Sequence, residues 1–130
     1  MRKRKVKRRR VRTRSDVVVN YAERNEILAE IGFASYGAYL ASDLWKSIRI
    51  EVFRLKGQRC SLCGNLAFQV HHTDYCMETL LGTDLSGLAP ICEPCHDEVE
   101  VDEDGDKRTG AESQRKFRQM LASNRKRRRK

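Results

Sequence analysis

The sequence predicts a small α+β domain in which two short strands and a following helix are tied together by paired-cysteine knuckles, with helices in front and solvated basic ends. Three observations lead there. Two C-x2-C pairs, Cys60/Cys63 and Cys92/Cys95, stand 28 residues apart. Helical apolar spacing before the first pair gives way to short apolar runs after it. The positive charge sits at the two ends of the chain and not in its body.

The elements follow in order. At 130 residues the chain has room for one core. In YAERNEILAEI, Ile27, Leu28 and Ile31 share a helix face and Gly32 can end the helix. In SDLWKSIRIEVFRLKG, Ser42 suits an N-cap, and Leu44, Ile48, Val52 and Leu55 form a core stripe widened by Trp45 and Phe53, with Gly57 as the stop. Residues 58–65 read as a knuckle in which Gly64 is free to take positive φ. LAFQVHH reads as a strand, residues 73–87 as a loop, and LAPIC as a second strand whose Pro90 argues for an edge. A short helix begins at Glu93. An acidic segment then leads to a last helix over residues 111–122.

Charge divides the chain further. The formal net charge is +9, yet residues 1–14 hold 10 Lys/Arg and residues 125–130 hold 6, leaving 11 cations against 18 acids, a net of −7, for the body. Runs of like charge without apolar residues stay solvated, so both ends are expected to be disordered alone. Such arms bind phosphate backbones through counterion release. A membrane surface fits less well, because no apolar anchor accompanies either run. The absence of a ~20-residue apolar span and of a secretory pattern points to an intracellular protein, in the cytoplasm or nucleoid if its source is a prokaryote or phage.

The five cysteines are odd in number and four of them pair by spacing, which suits metal and not a disulfide framework. Two residues between thiolates let one turn present both sulfurs to a tetrahedral ion. Cys60, Cys63, Cys92 and Cys95 are therefore the expected ligands of a structural Zn2+. Such an ion is coordinatively closed, so it supports the fold and does no chemistry. Cys76 is left as a free thiol. The three histidines, His71, His72 and His96, remain for another task. On a strand, His71 and His72 point to opposite faces, so one of them can share an ion with His96.

YGAYLASDLWKSIRIEVFRLKGQRCSLCG, VHHTDY and GTDLSGLAPICEPCH together resemble the HNH endonucleases, whose active site is a ββα-metal motif; the likeness spans residues 36–101. It implies that His71 and His96 bind a catalytic divalent ion (Mg2+, Mn2+, Ni2+ or Zn2+), that Glu100 offers a further ligand, and that His72 is the general base. It implies hydrolysis of DNA phosphodiester bonds to 5′-phosphate and 3′-hydroxyl ends. Residues 15–35 then form an N-terminal helical segment, and 102–124 an acidic linker with a C-terminal helix, between the arm (1–14) and the tail (125–130). Arg54, Lys56, Arg59 and the basic termini are the expected DNA contacts, non-specific or weakly specific because no set of base-reading side chains stands out. One position departs from the family: Gly87 stands where Asn or Asp usually ties down the loop between the strands. The alternative reading is accordingly a zinc-containing nucleic-acid-binding module with impaired catalysis.

Overall fold

The structure, a computed structural model, describes residues 18–128, with side-chain surroundings through Asn124. The arm expected over residues 1–14 lies outside the described residues, as do 129–130. Among the described residues the chain forms six helices and one two-stranded antiparallel sheet. No described helix is long and apolar enough to cross a membrane.

Local chemistry explains most boundaries. Asn20 Oδ1 accepts from the Ala22 and Glu23 amides and opens α1 (Tyr21–Glu30), while Ser35 Oγ caps α2 (Tyr36–Leu40). Ser42 Oγ accepts from Trp45 N at the start of α3 (Asp43–Lys56), which closes with Arg54 and Lys56 in its last turn and Gly57 at φ 82°. The sheet pairs β1 (Gln69–His72) with β2 (Leu88–Ile91), setting His71 opposite Ala89 and His72 opposite Leu88. Between the strands lies α4 (Met77–Leu81). Pro94 occupies the first turn of α5 (Glu93–Glu100), where its missing N–H costs nothing. Thr109 and Glu112 exchange side-chain and backbone hydrogen bonds as a capping box at the start of α6 (Gly110–Arg128).

Four expectations need correction. Residues 73–87 are not all loop: buried Asp74 accepts from Cys76 N and Thr79 Oγ1, which organises α4. Leu55 is 57% exposed and leaves the α3 stripe to Ile48, Val52 and Trp45, because Gly57 ends the helix before that turn is covered. The strand expected over residues 66–72 is only Gln69–His72, with Leu66 in an isolated bridge to Arg59 and Phe68 exposed. The helix expected over residues 111–122 runs on to Arg128 and takes in part of the basic tail; Arg and Lys are good helix formers and suit a helix C-terminus.

Two cores sit on the two faces of the hairpin. One gathers Leu28, Tyr39, Trp45, Ile48, Val52, Val70, Leu80 and Leu88. Gly82, at φ 75°, ends α4 so close to this core that a Cβ there would stand 2.6 Å from Ile48 Cγ1. The second core joins Cys60, Leu62, Ala67, Ile91, Cys92, Val99 and Phe117. Since side chains alternate along a strand, Val70 and His72 enter the first core, while Gln69 and His71 look toward α5 and α6.

Candidate metal centre

Two groups of metal-ligating side chains stand out among the described residues. The first is Cys60, Cys63, Cys92 and Cys95, one ligand atom from each lying within 4.8 Å of all the others. An ion ~2.3 Å from four tetrahedral thiolates sets their sulfurs about 3.8 Å apart, and Cys63 Sγ and Cys92 Sγ are 3.6 Å apart. Gly64 takes φ 81° and lets the knuckle turn, with its amide bonded to Cys60 O. Burial acts to raise the Cys60 thiol, but N–H groups of Cys92, Cys63 and Leu62 outweigh it and bring the pKa down to about 7. The four cysteines thus form a group that can hold a metal ion, and Cys76 is buried apart from it in the first core.

The second group is His71, His96 and Glu100, with ligand atoms again within 4.8 Å of one another. Glu100 Oε1 lies 3.3 Å from His96 Nε2 and 3.8 Å from His71 Nδ1. His96 and Glu100 are four residues apart on α5 and so share a face. His71 reaches them from β1, because β2 runs directly into Cys92 and the helix behind it. His71 is 1% exposed, whereas the side chains of His96 and Glu100 keep 28% and 25%. The group is therefore closed at the strand and open to solvent along α5.

Two glutamines decide which imidazole nitrogens face the centre. Gln114 Nε2 donates to His72 O at 2.9 Å, which orients its amide and turns Oε1 to His71 Nε2 at 3.0 Å. The proton of His71 thus belongs on Nε2, and the Nδ1 lone pair is left toward Glu100. In the same way Gln69 Oε1 lies 2.7 Å from His96 Nδ1 and leaves Nε2 free toward Glu100. Holding the outer nitrogen of each ring in this way fixes tautomer and orientation for ion binding. Burial, more than any neighbour, depresses His71 to a pKa of about 4, so its ring is neutral and able to ligate. Burial opposes the Glu100 charge, yet the contacts with His96 and His71, with the Lys107 cation beyond them, prevail and hold it below the usual carboxylate range. Gln69 was within reach of sequence reasoning, two residues before His71 on the same face; Gln114, 43 residues away on another helix, carries no local signal.

The structure does not bring His72 to this group. Its ring stacks on Trp45 with centroids 4.6 Å apart, Nδ1 pairs with Tyr36 Oη at 3.1 Å, and Nε2 is buried with no partner among the described residues. The residue is 3% exposed, and burial, helped by the charges of His71, Arg24 and His96, depresses its pKa to about 3. As folded, this imidazole is buried on the face of β1 opposite the His71 group.

The expected nucleic-acid contacts divide likewise. Arg54 is exposed and pairs with Glu51, and Arg59 is exposed. Lys56 is exposed as well, but its Nζ is engaged, donating to Leu85 O and Leu88 O at 2.7 and 2.6 Å. With Thr73, whose N and Oγ1 both donate to Gly87 O, Lys56 ties down the loop before β2. Nearby, Asp84 Oδ1 accepts from Ser86 N at 3.0 Å and from Ser86 Oγ at 2.7 Å. Comparison of the chain with models of known families, with curated proteins and with solved structures finds no match.

Proposed function

We propose that this protein is a metal-dependent endonuclease of the HNH type, with a structural Zn2+ on Cys60, Cys63, Cys92 and Cys95 and one catalytic divalent ion on His71, His96 and Glu100. The observation that carries this reading is the second group: two imidazoles with their outer nitrogens held by glutamines, and an ionised carboxylate, converge on one point while leaving a side open to solvent. Four sulfurs close a site, whereas three protein ligands leave room for water and substrate. Two nitrogens and one oxygen suit Mn2+, Ni2+ or Zn2+ better than Mg2+, which prefers oxygen alone.

When bound, such an ion polarises a phosphate oxygen, makes its own water acidic and steadies charge on the leaving oxygen. The remaining work belongs to the chain. His71 and His96 ligate in neutral form, Glu100 brings one negative charge and leaves the ion net positive toward a phosphodiester, and the basic termini supply a sequence-independent grip on DNA. His72 can serve as the base only after its ring leaves Trp45 and Tyr36, since its Nε2 is buried among those rings as folded.

Nicking of supercoiled plasmid with added Mn2+, Ni2+, Mg2+ or Zn2+ tests the reading. Wild-type protein is expected to nick, and His96→Ala to lose activity while retaining the zinc of the cysteine site. His72→Phe keeps the packing and removes the base: loss of nicking assigns proton transfer to His72, and retention assigns it to the ion. The burial of His72 favours one other reading, a zinc-containing nucleic-acid-binding module without catalysis, which DNA binding without metal-stimulated nicking would establish.

A further inference from the structure

The core that encloses His72 also encloses a cation. Arg24 on α1 is 8% exposed, and its guanidinium carbon lies 3.9 Å from the Tyr36 ring centroid, 4.7 Å from Tyr21 and 5.2 Å from Tyr75. Among the described residues no carboxylate pairs with it. Asn25 Oδ1 accepts from its Nε and Nη2 at 3.2 Å each, and the Tyr75 hydroxyl is within its reach. Attraction to aromatic faces is worth roughly 2 kcal/mol when desolvated, whereas burying an ion costs several kcal/mol even after relaxation. A guanidinium has five N–H donors, and neutral acceptors satisfy only part of that set.

This cage borders the metal centre. The hydroxyls of Tyr21, Tyr36 and Tyr75 all feel the Glu100 carboxylate, and Tyr36 is the partner of His72. From the other side comes Lys107, 5.0 Å over the Tyr21 ring and close enough to favour the Glu100 charge. The bridge between Val101 and Lys107, and the bond from Arg108 N to Glu100 O, bring that segment against the end of α5. Tyr21 and Tyr36 are only half-buried, so the cage has an edge toward solvent, and Tyr21 with Lys107 and Arg108 lines a cleft of about 570 Å3 beside it.

We propose that Arg24 is a phosphate-recognising residue, binding a phosphate group that reaches it from the solvent edge of the cage, beside the centre formed by His71, His96 and Glu100. The location rests on the metal-centre reading above; the capture of an anion by Arg24 does not. With Nε and one Nη2 proton turned to Asn25 Oδ1, the remaining N–H groups of the planar guanidinium can meet phosphate oxygens, and the group stays charged at every pH of interest. Enclosure by three rings shields its charge from salt, which an exposed lysine such as Lys107 is not. With an ion in place, the carboxylate of Glu100 set against Arg24 and Lys107 leaves a strongly positive centre, suited to a phosphate that gains negative charge as water adds to it.

The experiment titrates inorganic phosphate into the full-length, zinc-loaded protein, with and without Mn2+, by calorimetry and by tyrosine and tryptophan fluorescence. Wild-type protein is expected to bind phosphate without Mn2+ and more tightly with it. Arg24→Met should weaken binding about 10- to 100-fold, the range of a lost hydrogen-bonded charge, while Mn2+ affinity stays within about twofold. Arg24→Lys, which keeps the charge and so protects the fold, should fall at least about fivefold short of wild type because it lacks the fork. Phosphate affinity unchanged in Arg24→Met, or in Arg24→Lys should the methionine variant fail to fold, overturns the proposal and leaves Arg24 a packing cation. The nuclease reading fails separately: phosphate bound at Arg24 without metal-stimulated nicking sinks that reading and leaves the anion site standing.

Discussion

One peptide bond separates His71 from His72, and the pleat of β1 sends them into unlike surroundings. His71 faces α5 and α6, where a glutamine holds its outer nitrogen and a carboxylate and a second imidazole face the other. His72 faces four aromatic rings and leaves Nε2 with no partner among the described residues. Both are depressed below the ordinary histidine range, and burial leads in each case. The difference lies in what else is present: the His71 face supplies polar groups that use a neutral imidazole, and the His72 face supplies packing. Burial alone therefore does not leave an imidazole nitrogen placed to bind an ion, and the arrangement of the neighbouring hydrogen bonds does.

The largest perturbation should remove one face and spare the other. On the reading that the cysteine site holds zinc, stripping the ion, or Cys92→Ser, should untie β2 and α5 from the knuckle, since structural zinc is worth on the order of 10 kcal/mol in small domains. Hydrogen exchange should show α5 opening first, with the Trp45 core retained longer; simultaneous loss of both would show that the two cores fold as one unit.

Next in size is the second ring of contacts. Gln114→Leu should lower Mn2+ affinity about 10- to 100-fold by freeing the His71 tautomer, while His72→Phe should leave it within about twofold. Calorimetry distinguishes them, and equal losses would erase the contrast between the faces.

Acid sharpens the comparison. A histidine whose folded pKa is depressed binds fewer protons folded than unfolded, so its contribution to stability is full above about 6.5, the unfolded value, and is lost as pH falls toward the folded one. For His72 that window reaches down to about 3. Wild-type stability should accordingly fall more steeply than that of His72→Phe between those limits, measured by urea unfolding at matched zinc loading. Parallel curves would mean that His72 is already solvated.

The smallest effect expected is at Lys56. Replacing it by Met removes two donors from the loop that leads to the partner of His72, and should cost about 1–2 kcal/mol, a few degrees in Tm, with Mn2+ affinity unchanged. A drop in metal affinity would show that the loop positions the centre as well as the core.

The paired cysteines, the histidine behind the second pair and the capped α3 were all legible, because each signal lies within one turn or one helix. Glu100 was legible as the residue one helical turn beyond His96. Other features had no such local mark. α4 depends on Asp74, whose carboxylate reads as an ordinary loop residue until Thr79 folds back onto it. Arg24 stands on a helix among acidic neighbours and carries no local mark, and only three rings arriving from α1, α2 and the segment after β1 reveal it as enclosed.

By itself the sequence determined that two distant turns share a sulfur cluster and that adjacent histidines leave a strand on opposite sides, since ligand spacing and strand period are properties of consecutive residues. Only the tertiary structure decided which histidine meets His96 and Glu100 and which is enclosed by rings. The two faces of an isolated strand are equivalent, and they become different when one core packs on each.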